Sequence, residues 1–150
     1  MNRTLAAALG AVALAGVFSA GRASARPLGH GSLIEHDSTV AAKQPGPHKG
    51  TGQTTGYSFF AKAPDLELVF RKRALHPGAS IGYHEQKEDE IYYVLSGRGE
   101  FTLDGVRHEV GPGTAMLTRP GSSHGLRQVG DEDLVILISY LAQPARPGAR

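Results

Sequence analysis

An imidazole, an amide and a carboxylate are spaced along residues 78–97 in a way that suits metal binding. His84 and Gln86 alternate within a strand-like run, so their side chains share one face of a strand. Glu90 opens the next strand-like run after a polar turn, and His124 follows a Pro-Gly turn later in the chain. Two histidines and one carboxylate leave open positions on a divalent transition metal. We therefore predict a metal site formed by His84, Gln86, Glu90 and His124.

Gln86 is the weakest of these predicted ligands, because an amide oxygen binds a transition metal less strongly than an imidazole nitrogen does. Three roles remain open for it: a loose fourth ligand, a hydrogen-bond partner of a metal-bound water or substrate, or the mark of a site that no longer holds metal. Three more carboxylates lie nearby, on Glu85, Glu88 and Asp89. Strand phase and turn position indicate that they are solvated; the alternative is that one of them replaces Glu90 as a ligand.

Strand alternation also predicts which side chains surround the metal, since residues two apart share a face. The predicted cavity lining is Ser80, Tyr92, Val94, Leu126 and Gln128. The sequence identifies no definite catalytic residue; Tyr92 and Arg119 are candidates. Arg119 either faces solvent or meets an anionic substrate at the cavity mouth.

The first group of these residues resembles the first sequence motif of the cupin family. That motif places a glycine before a His-x-His pair, then a glutamate and a closing glycine. The matching residues here are Gly78, His84, Glu90 and Gly97. Gln86 departs from the motif, because it stands where the second histidine is usual.

The later group resembles the second cupin motif, which places a glycine before Pro-x-Gly, then a histidine and an asparagine. Gly113, Gly121 and His124 match that motif in the expected order. Arg119 stands where proline is usual, and Gln128 replaces the final asparagine. The resemblance implies an all-β fold, the jelly-roll β-barrel (double-stranded β-helix), and it allows a homodimer.

The resemblance also implies a small-molecule ligand and a divalent transition metal. Fe or Mn is favoured at an open site of imidazoles and oxygen donors, and Zn or Ni is the alternative. The leading hypothesis is a metal-dependent enzyme acting on a small oxygenated compound, with dioxygenase-like chemistry first and isomerase or decarboxylase chemistry next. The alternative is a non-catalytic module that binds a sugar or an organic acid, with or without metal.

Short strands separated by glycine turns must position these residues, and they predict a barrel over residues 58–142. Alternation at Leu66, Leu68 and Phe70 indicates a half-buried strand, and Asp104-Gly105 between alternating runs indicates a hairpin. The basic run Arg71-Lys72-Arg73 is interpreted as a solvated strand end. No sustained helical period occurs between residue 26 and the end of the chain.

The first 25 residues are typical of a secretory signal peptide. A short basic start precedes the apolar run Leu5–Ala20, and Ala23-Ser24-Ala25 matches a cleavage site. The apolar run is shorter than the roughly 20 residues of a membrane-spanning helix, so an uncleaved anchor is the less favoured interpretation. We predict cleavage after Ala25 and a periplasmic or secreted protein.

Residues 26–57 are rich in Gly, Pro and Thr and predict a flexible N-terminal arm, while residues 143–150 predict a disordered tail. The arm contains His30, His36 and His48, whose spacing fixes no metal geometry, so only weak metal binding is open to them. Without the signal peptide the chain has 14 basic and 14 acidic residues. This balance argues against nucleic-acid binding and against membrane binding after cleavage.

Overall fold

The computed structural model of the chain describes residues 31–142. The predicted signal peptide at 1–25 and the predicted tail at 143–150 lie outside the described residues. The described part contains one short helix and ten strands, so the predicted all-β class is confirmed. These elements are α1 (Asp37–Val40), β1 (Ala41–Pro45), β2 (Gln53–Phe59), β3 (Leu68–Leu75), β4 (Ser80–Glu85), β5 (Glu90–Ser96), β6 (Arg98–Leu103), β7 (Val106–Val110), β8 (Ala115–Thr118), β9 (Ser123–Val129) and β10 (Leu134–Leu141). Between residues 31 and 142, no helix has the length and apolar character needed to cross a membrane.

Two antiparallel sheets share one core. The six-stranded sheet has the order β1-β2-β3-β10-β5-β8, and the four-stranded sheet has the order β4-β9-β6-β7. Alternate residues of each strand point between the sheets, which is why burial alternates so regularly along β5 and β10. The core side chains that are less than a tenth exposed are Leu75, Ala79, Ile81, Tyr92, Val94, Phe101, Val110, Met116, Leu126, Leu134, Ile136 and Ile138.

The predicted flexible arm at 26–57 is wrong for its second half, because β1 and β2 belong to the larger sheet. β1 pairs with β2 and β2 pairs with β3, where Gly56 lies opposite Arg73. The inward face of β2 consists of Thr54, Gly56 and Ser58, so it lacks the apolar alternation that indicates a strand. The barrel therefore begins at β1 and not at residue 58.

The basic run of β3 is not a solvated strand end, and that prediction is also wrong. Cross-strand register places Arg71 opposite Ile138 and Arg73 opposite Ile136, both of which are buried core residues. Both arginines therefore point between the sheets, and Arg73 is only 7% exposed. Lys72 points outward, where it pairs with Asp37 and lies over the Tyr57 ring.

Candidate metal centre

Three side chains from three strands converge between the sheets. His84 comes from β4, Glu90 from β5 and His124 from β9, and one ligand atom from each lies within 4.8 Å of the others. Glu90 is 8% exposed and His124 is fully buried. The structure thus brings together three of the four predicted metal ligands.

A β-bulge in β4 sets the direction of His84. Ile81 lies opposite Leu126 and His84 lies opposite His124, so three steps along β4 match two steps along β9. The extra residue lets both Ile81 and His84 point inward. Ser80 then points away from the cavity, and its Oγ accepts a hydrogen bond of 2.8 Å from the Thr51 amide. The prediction that Ser80 lines the cavity is therefore wrong, because it assumed unbroken alternation.

The His84 ring is held in one tautomer. Its Nδ1 lies 2.8 Å from the carbonyl oxygen of Gly82. A carbonyl only accepts hydrogen bonds, so Nδ1 must carry the proton and Nε2 keeps its lone pair. This backbone contact is the usual way in which a protein orients a metal-binding imidazole.

Glu90 carries a buried oxygen without a hydrogen-bond partner. Its Oε2 is 3.4 Å from Nε2 of His124 but forms no hydrogen bond. Burial raises the pKa of Glu90 to about 7; the Tyr92 hydroxyl opposes this shift, Glu88 adds to it and Arg71 opposes it. An unpaired carboxylate oxygen in such a place is costly unless a cation completes its surroundings.

His124 and Tyr92 form the inner wall of the cluster. Nε2 of His124 lies 3.2 Å from the Tyr92 hydroxyl, whereas its buried Nδ1 has no hydrogen-bond partner. Burial, followed by His84 and His48, lowers the pKa of His124 to about 4, so this ring is neutral at physiological pH. Burial, with Glu90 adding to it, raises the pKa of Tyr92 well above its ordinary value. Tyr92 is therefore a hydrogen-bond donor at neutral pH and not a base.

Gln86 and Arg119 are two further predicted site residues, and the structure buries the first and exposes the second. Gln86 is buried, and its backbone bonds to Ser122 and Gly121 join it to the turn before β9; its role as a ligand stays a prediction. Arg119 is on the surface, with Nε 2.6 Å from Oδ1 of Asp89, and both side chains are more than half exposed. The solvent-facing interpretation of Arg119 is the one that fits.

The remaining predicted lining residues are all buried, but one of them has a structural task. Val94 and Leu126 belong to the apolar core between the sheets, and their role as cavity lining stays a prediction. The side chain of Gln128 is bonded to loop backbone: its Oε1 accepts from the Gly78 amide, and its Nε2 donates to the carbonyls of Gly130 and Glu132. Gln128 therefore joins two turns, and both polar atoms of its amide are hydrogen-bonded within the protein.

The sequence analysis left His48 among the arm histidines without a fixed position, whereas the structure places it in the loop between β1 and β2, beside His84. Its ring stacks on His84 with 3.5 Å between centroids and an interplanar angle of 4°. The loop approaches β4 so closely that a Cβ on Gly82 would lie 2.0 Å from the His48 carbonyl oxygen. The glycines at positions 46, 50 and 52 were the available signal, because closely spaced glycines often mark a close backbone approach.

The donor set fits a divalent transition metal. It combines a free imidazole nitrogen on His84, a neutral imidazole on His124 and an unpaired carboxylate oxygen on Glu90. A surface pocket of about 450 Å³, lined by residues that include Arg98, Glu109 and Arg127, contains none of the three ligands. The chemistry of the donors, and not pocket size, locates the candidate site.

Comparison with known proteins gives a family match over the strands that carry this site. Residues 72–140 match the family described as Cupin domain. An oxalate-binding protein of Thermotoga maritima is 37% identical over 70 residues, which cover 46% of this chain and 58% of that protein. A 5-nitrosalicylic acid 1,2-dioxygenase of Bradyrhizobium sp is 26% identical over 66 residues, which cover 44% of this chain and 32% of that protein. The chain thus matches less than two thirds of the length of each of these curated relatives.

Solved structures show the same architecture over a longer stretch. A predicted oxalate decarboxylase from Thermotoga maritima aligns with a TM-score of 0.68 and 26% identity, covering 74% of this chain and all of that one. A polyketide cyclase from Streptomyces resistomycificus aligns with a TM-score of 0.62 and 23% identity, covering 75% of this chain and 80% of that one. The likeness to the polyketide cyclase shows the fold alone. The predicted jelly-roll fold is confirmed.

Proposed function

Because the chain belongs to the cupin superfamily through the domain at residues 72–140, we propose that it binds a divalent transition metal and acts through it on a small oxygenated compound. His84, Glu90 and His124 are the ligands in this proposal. The buried Oε2 of Glu90 carries it, since that oxygen has no hydrogen-bond partner among the described residues. Fe or Mn suits the mixed imidazole and oxygen set best, with Zn or Ni as the alternative.

A metal held there would supply a Lewis acid with coordination positions open to an oxygenated ligand. The protein residues have separate tasks around it. The Gly82 carbonyl orients His84, burial keeps His124 neutral, and the protonated Tyr92 hydroxyl can donate a hydrogen bond toward the cluster. The leading reaction class is dioxygenase-like, followed by decarboxylase or isomerase chemistry. Similarity to the Bradyrhizobium dioxygenase supports the first class, and similarity to the predicted oxalate decarboxylase of Thermotoga maritima supports the second.

A second candidate function is binding without turnover. Tyr92 stays protonated, and among the described residues His48, stacked on His84, is the one further imidazole in contact with the proposed ligands, so few groups are placed for general acid–base catalysis. The relative named an oxalate-binding protein supports this alternative, with an organic acid as the ligand. Cupin relatives thus point to a small-molecule partner in both cases.

The metal proposal is tested by elemental analysis of protein purified without chelators from the exported fraction. We expect about one equivalent of metal in the parent and almost none in Glu90→Ala or His124→Ala, because loss of one of three protein ligands removes most of the affinity. The exposed variant Glu109→Ala is the matched control and should keep its metal. Absence of metal from the parent, with no uptake of Fe²⁺, Mn²⁺, Zn²⁺ or Ni²⁺ by folded protein, would refute the site.

Turnover is separated from binding by oxygen consumption with catechol-like and enolic compounds, followed in parallel with calorimetric binding. We expect metal-dependent oxygen uptake that is lost in folded Glu90→Ala. Saturable binding without oxygen uptake or any product would contradict a dioxygenase and favour a binding protein, unless product analysis without oxygen reveals decarboxylation or isomerisation.

Export and assembly are further proposals. Cleavage after Ala25 predicts a chain that begins at Arg26, which the intact mass of the exported protein checks.

A homodimer is supported by exposed apolar side chains on the outer face of neighbouring strands β5 and β8, namely Ile91, Tyr93, Leu95 and Leu117. Sedimentation of the parent protein tests it, and a monomer at all concentrations would exclude it.

A further inference from the structure

We propose that Arg71 and Arg73 form an anion subsite beside the metal centre and that the ligand is a small dicarboxylate. One carboxylate would pair with the guanidinium groups while the other end of the ligand reaches the metal. The metal end of this arrangement rests on the function proposed above, whereas the arginine end stands on the protein residues alone.

Cross-strand register places both arginines on the inner face of the larger sheet. One row of paired residues crosses β3, β10 and β5, and it consists of Arg71, Ile138 and Tyr92. The row that contains Arg73 lies next to it. Glu90 lies in the adjoining row on the other side, opposite Tyr140. The arginines therefore face the same interior space as Tyr92 and Glu90, which belong to the metal centre.

Arg73 is a buried cation without an acidic partner. Its Nη1 donates to Oγ1 of Thr54 at 2.7 Å and its Nη2 donates to Oε1 of Gln44 at 3.2 Å, and both acceptors are neutral. No carboxylate oxygen lies within ion-pair distance of Arg73 in the part of the chain that the structure describes. A buried guanidinium normally has an anionic partner, so an anion from outside the chain would complete this one.

Arg71 adds a second positive charge to the inner face of the larger sheet. Its guanidinium carbon is 5.8 Å from the centroid of the Tyr140 ring, and this side chain also has no ion pair within residues 31–142. Tyr140 lies opposite Glu90 in the pairing of β10 with β5, so the Arg71 guanidinium lies near the row that contributes Glu90 to the metal centre.

The charges of the interior favour a dianion over a neutral compound. Two guanidinium groups face one carboxylate, that of Glu90, and the proposed metal uses that carboxylate. A guanidinium has a planar set of donors that matches a carboxylate, whereas a neutral diol would leave both arginine charges unpaired.

The test uses protein loaded with Mn²⁺ and calorimetric titration with malonate and succinate. The matched neutral ligands are 1,3-propanediol and 1,4-butanediol. We expect the dicarboxylates to bind and the diols not to bind measurably. Arg73→Gln and Arg71→Gln should each weaken dicarboxylate binding by about 10- to 100-fold, as loss of a charge-assisted hydrogen bond predicts. Arg73→Lys should recover part of the affinity, and the 75% exposed Arg107→Gln should leave it unchanged.

Metal content is measured on the same samples and should be equal in all of them. Equal malonate binding by the parent and both glutamine variants would overturn the proposal and leave Arg73 as a structural link to Thr54 and Gln44. Diol binding as strong as dicarboxylate binding would also overturn it, as would a metal-loaded parent that binds neither dicarboxylate.

If Arg73→Gln does not fold, Arg71→Gln decides the question. If the parent takes up no metal, arginine-dependent malonate binding by the metal-free protein would support the subsite while the metal proposal fails.

Discussion

Glu90→Gln is expected to stabilise the metal-free protein by about 3 kcal/mol above pH 7 while abolishing metal binding. Burial raises the pKa of Glu90 to about 7 from an ordinary value of 4.5. The folded protein therefore favours the protonated carboxyl, and the parent loses stability as the pH rises from 4.5 through 7. Glutamine has nearly the same shape and stays neutral, so the variant avoids this loss.

His124 contributes a pH dependence of the opposite sign. Burial lowers the pKa of His124 to about 4 from an ordinary value of 6.5. The folded protein therefore favours the neutral ring, and the free energy of unfolding falls as the pH drops from 6.5 toward 4. The parent and the Glu90→Gln variant both retain His124, so the difference between their unfolding free energies isolates the carboxyl of Glu90.

The measurement is denaturant unfolding of both proteins in the presence of a chelator at pH 4.5, 6 and 8. The difference should be near zero at the lowest pH and largest at the highest. Glu109→Gln, at an exposed position, is the control and should show no such trend. A difference between the parent and Glu90→Gln that is the same at pH 4.5 and pH 8 would contradict the assignment of Glu90 as a buried, unpaired carboxyl.

Gly82→Ala is expected to reduce the free energy of unfolding by about 3 kcal/mol, because it displaces the loop at 46–52 from β4. The added Cβ would lie 2.0 Å from the His48 carbonyl oxygen and 3.0 Å from the Gly50 nitrogen, both of which are backbone atoms. Displacement breaks three hydrogen bonds that backbone amides donate between the loop and β4: Gly82 amide to the Pro47 carbonyl, Ser80 amide to the Thr51 carbonyl, and Thr51 amide to Ser80 Oγ. Each is worth about 1 kcal/mol.

Gly111→Ala is the matched control for this substitution. A Cβ on Gly111 has no atom within 4 Å and the residue does not require positive φ, so its stability should change little. Denaturant unfolding measures both variants, and amide hydrogen exchange reports on the loop. Unchanged stability of Gly82→Ala, with the exchange protection of the Ser80 amide intact, would contradict this prediction and show that the loop adapts while staying bonded to β4.

Local patterns in the sequence were sufficient for the centre of the fold and for the three side chains that converge between the sheets, whose role as metal ligands stays a prediction. Alternation gave the inward faces of β5 and β9, and those faces carry Glu90 and His124. The predicted inward direction of His84 is also found in the structure, although the β-bulge before it makes that direction a property of the pairing with β9 and not of β4 alone. Ser80 was misplaced for the same reason.

The missed features depend on contacts between distant parts of the chain. β2 has a polar inward face because it lies beside the arginines of β3, and such a strand shows no apolar period. Arg71 and Arg73 look like solvated residues until register places them opposite Ile138 and Ile136. His48 reaches His84 through a loop whose path follows from tertiary packing, so its spacing in the sequence carried no information.

The loop on β4 links the speed of ligand exchange to local backbone stability. His48 covers one face of the His84 ring, and the Pro47 carbonyl accepts hydrogen bonds from both Gly50 and Gly82. The bond from Gly50 lies within the loop, whereas the bond from Gly82 joins the loop to β4 and breaks when His48 departs with the loop. For a ligand bound as proposed, the donor atoms between the sheets would set the affinity, and for one that passes this side of His84 the opening of this loop would set the residence time.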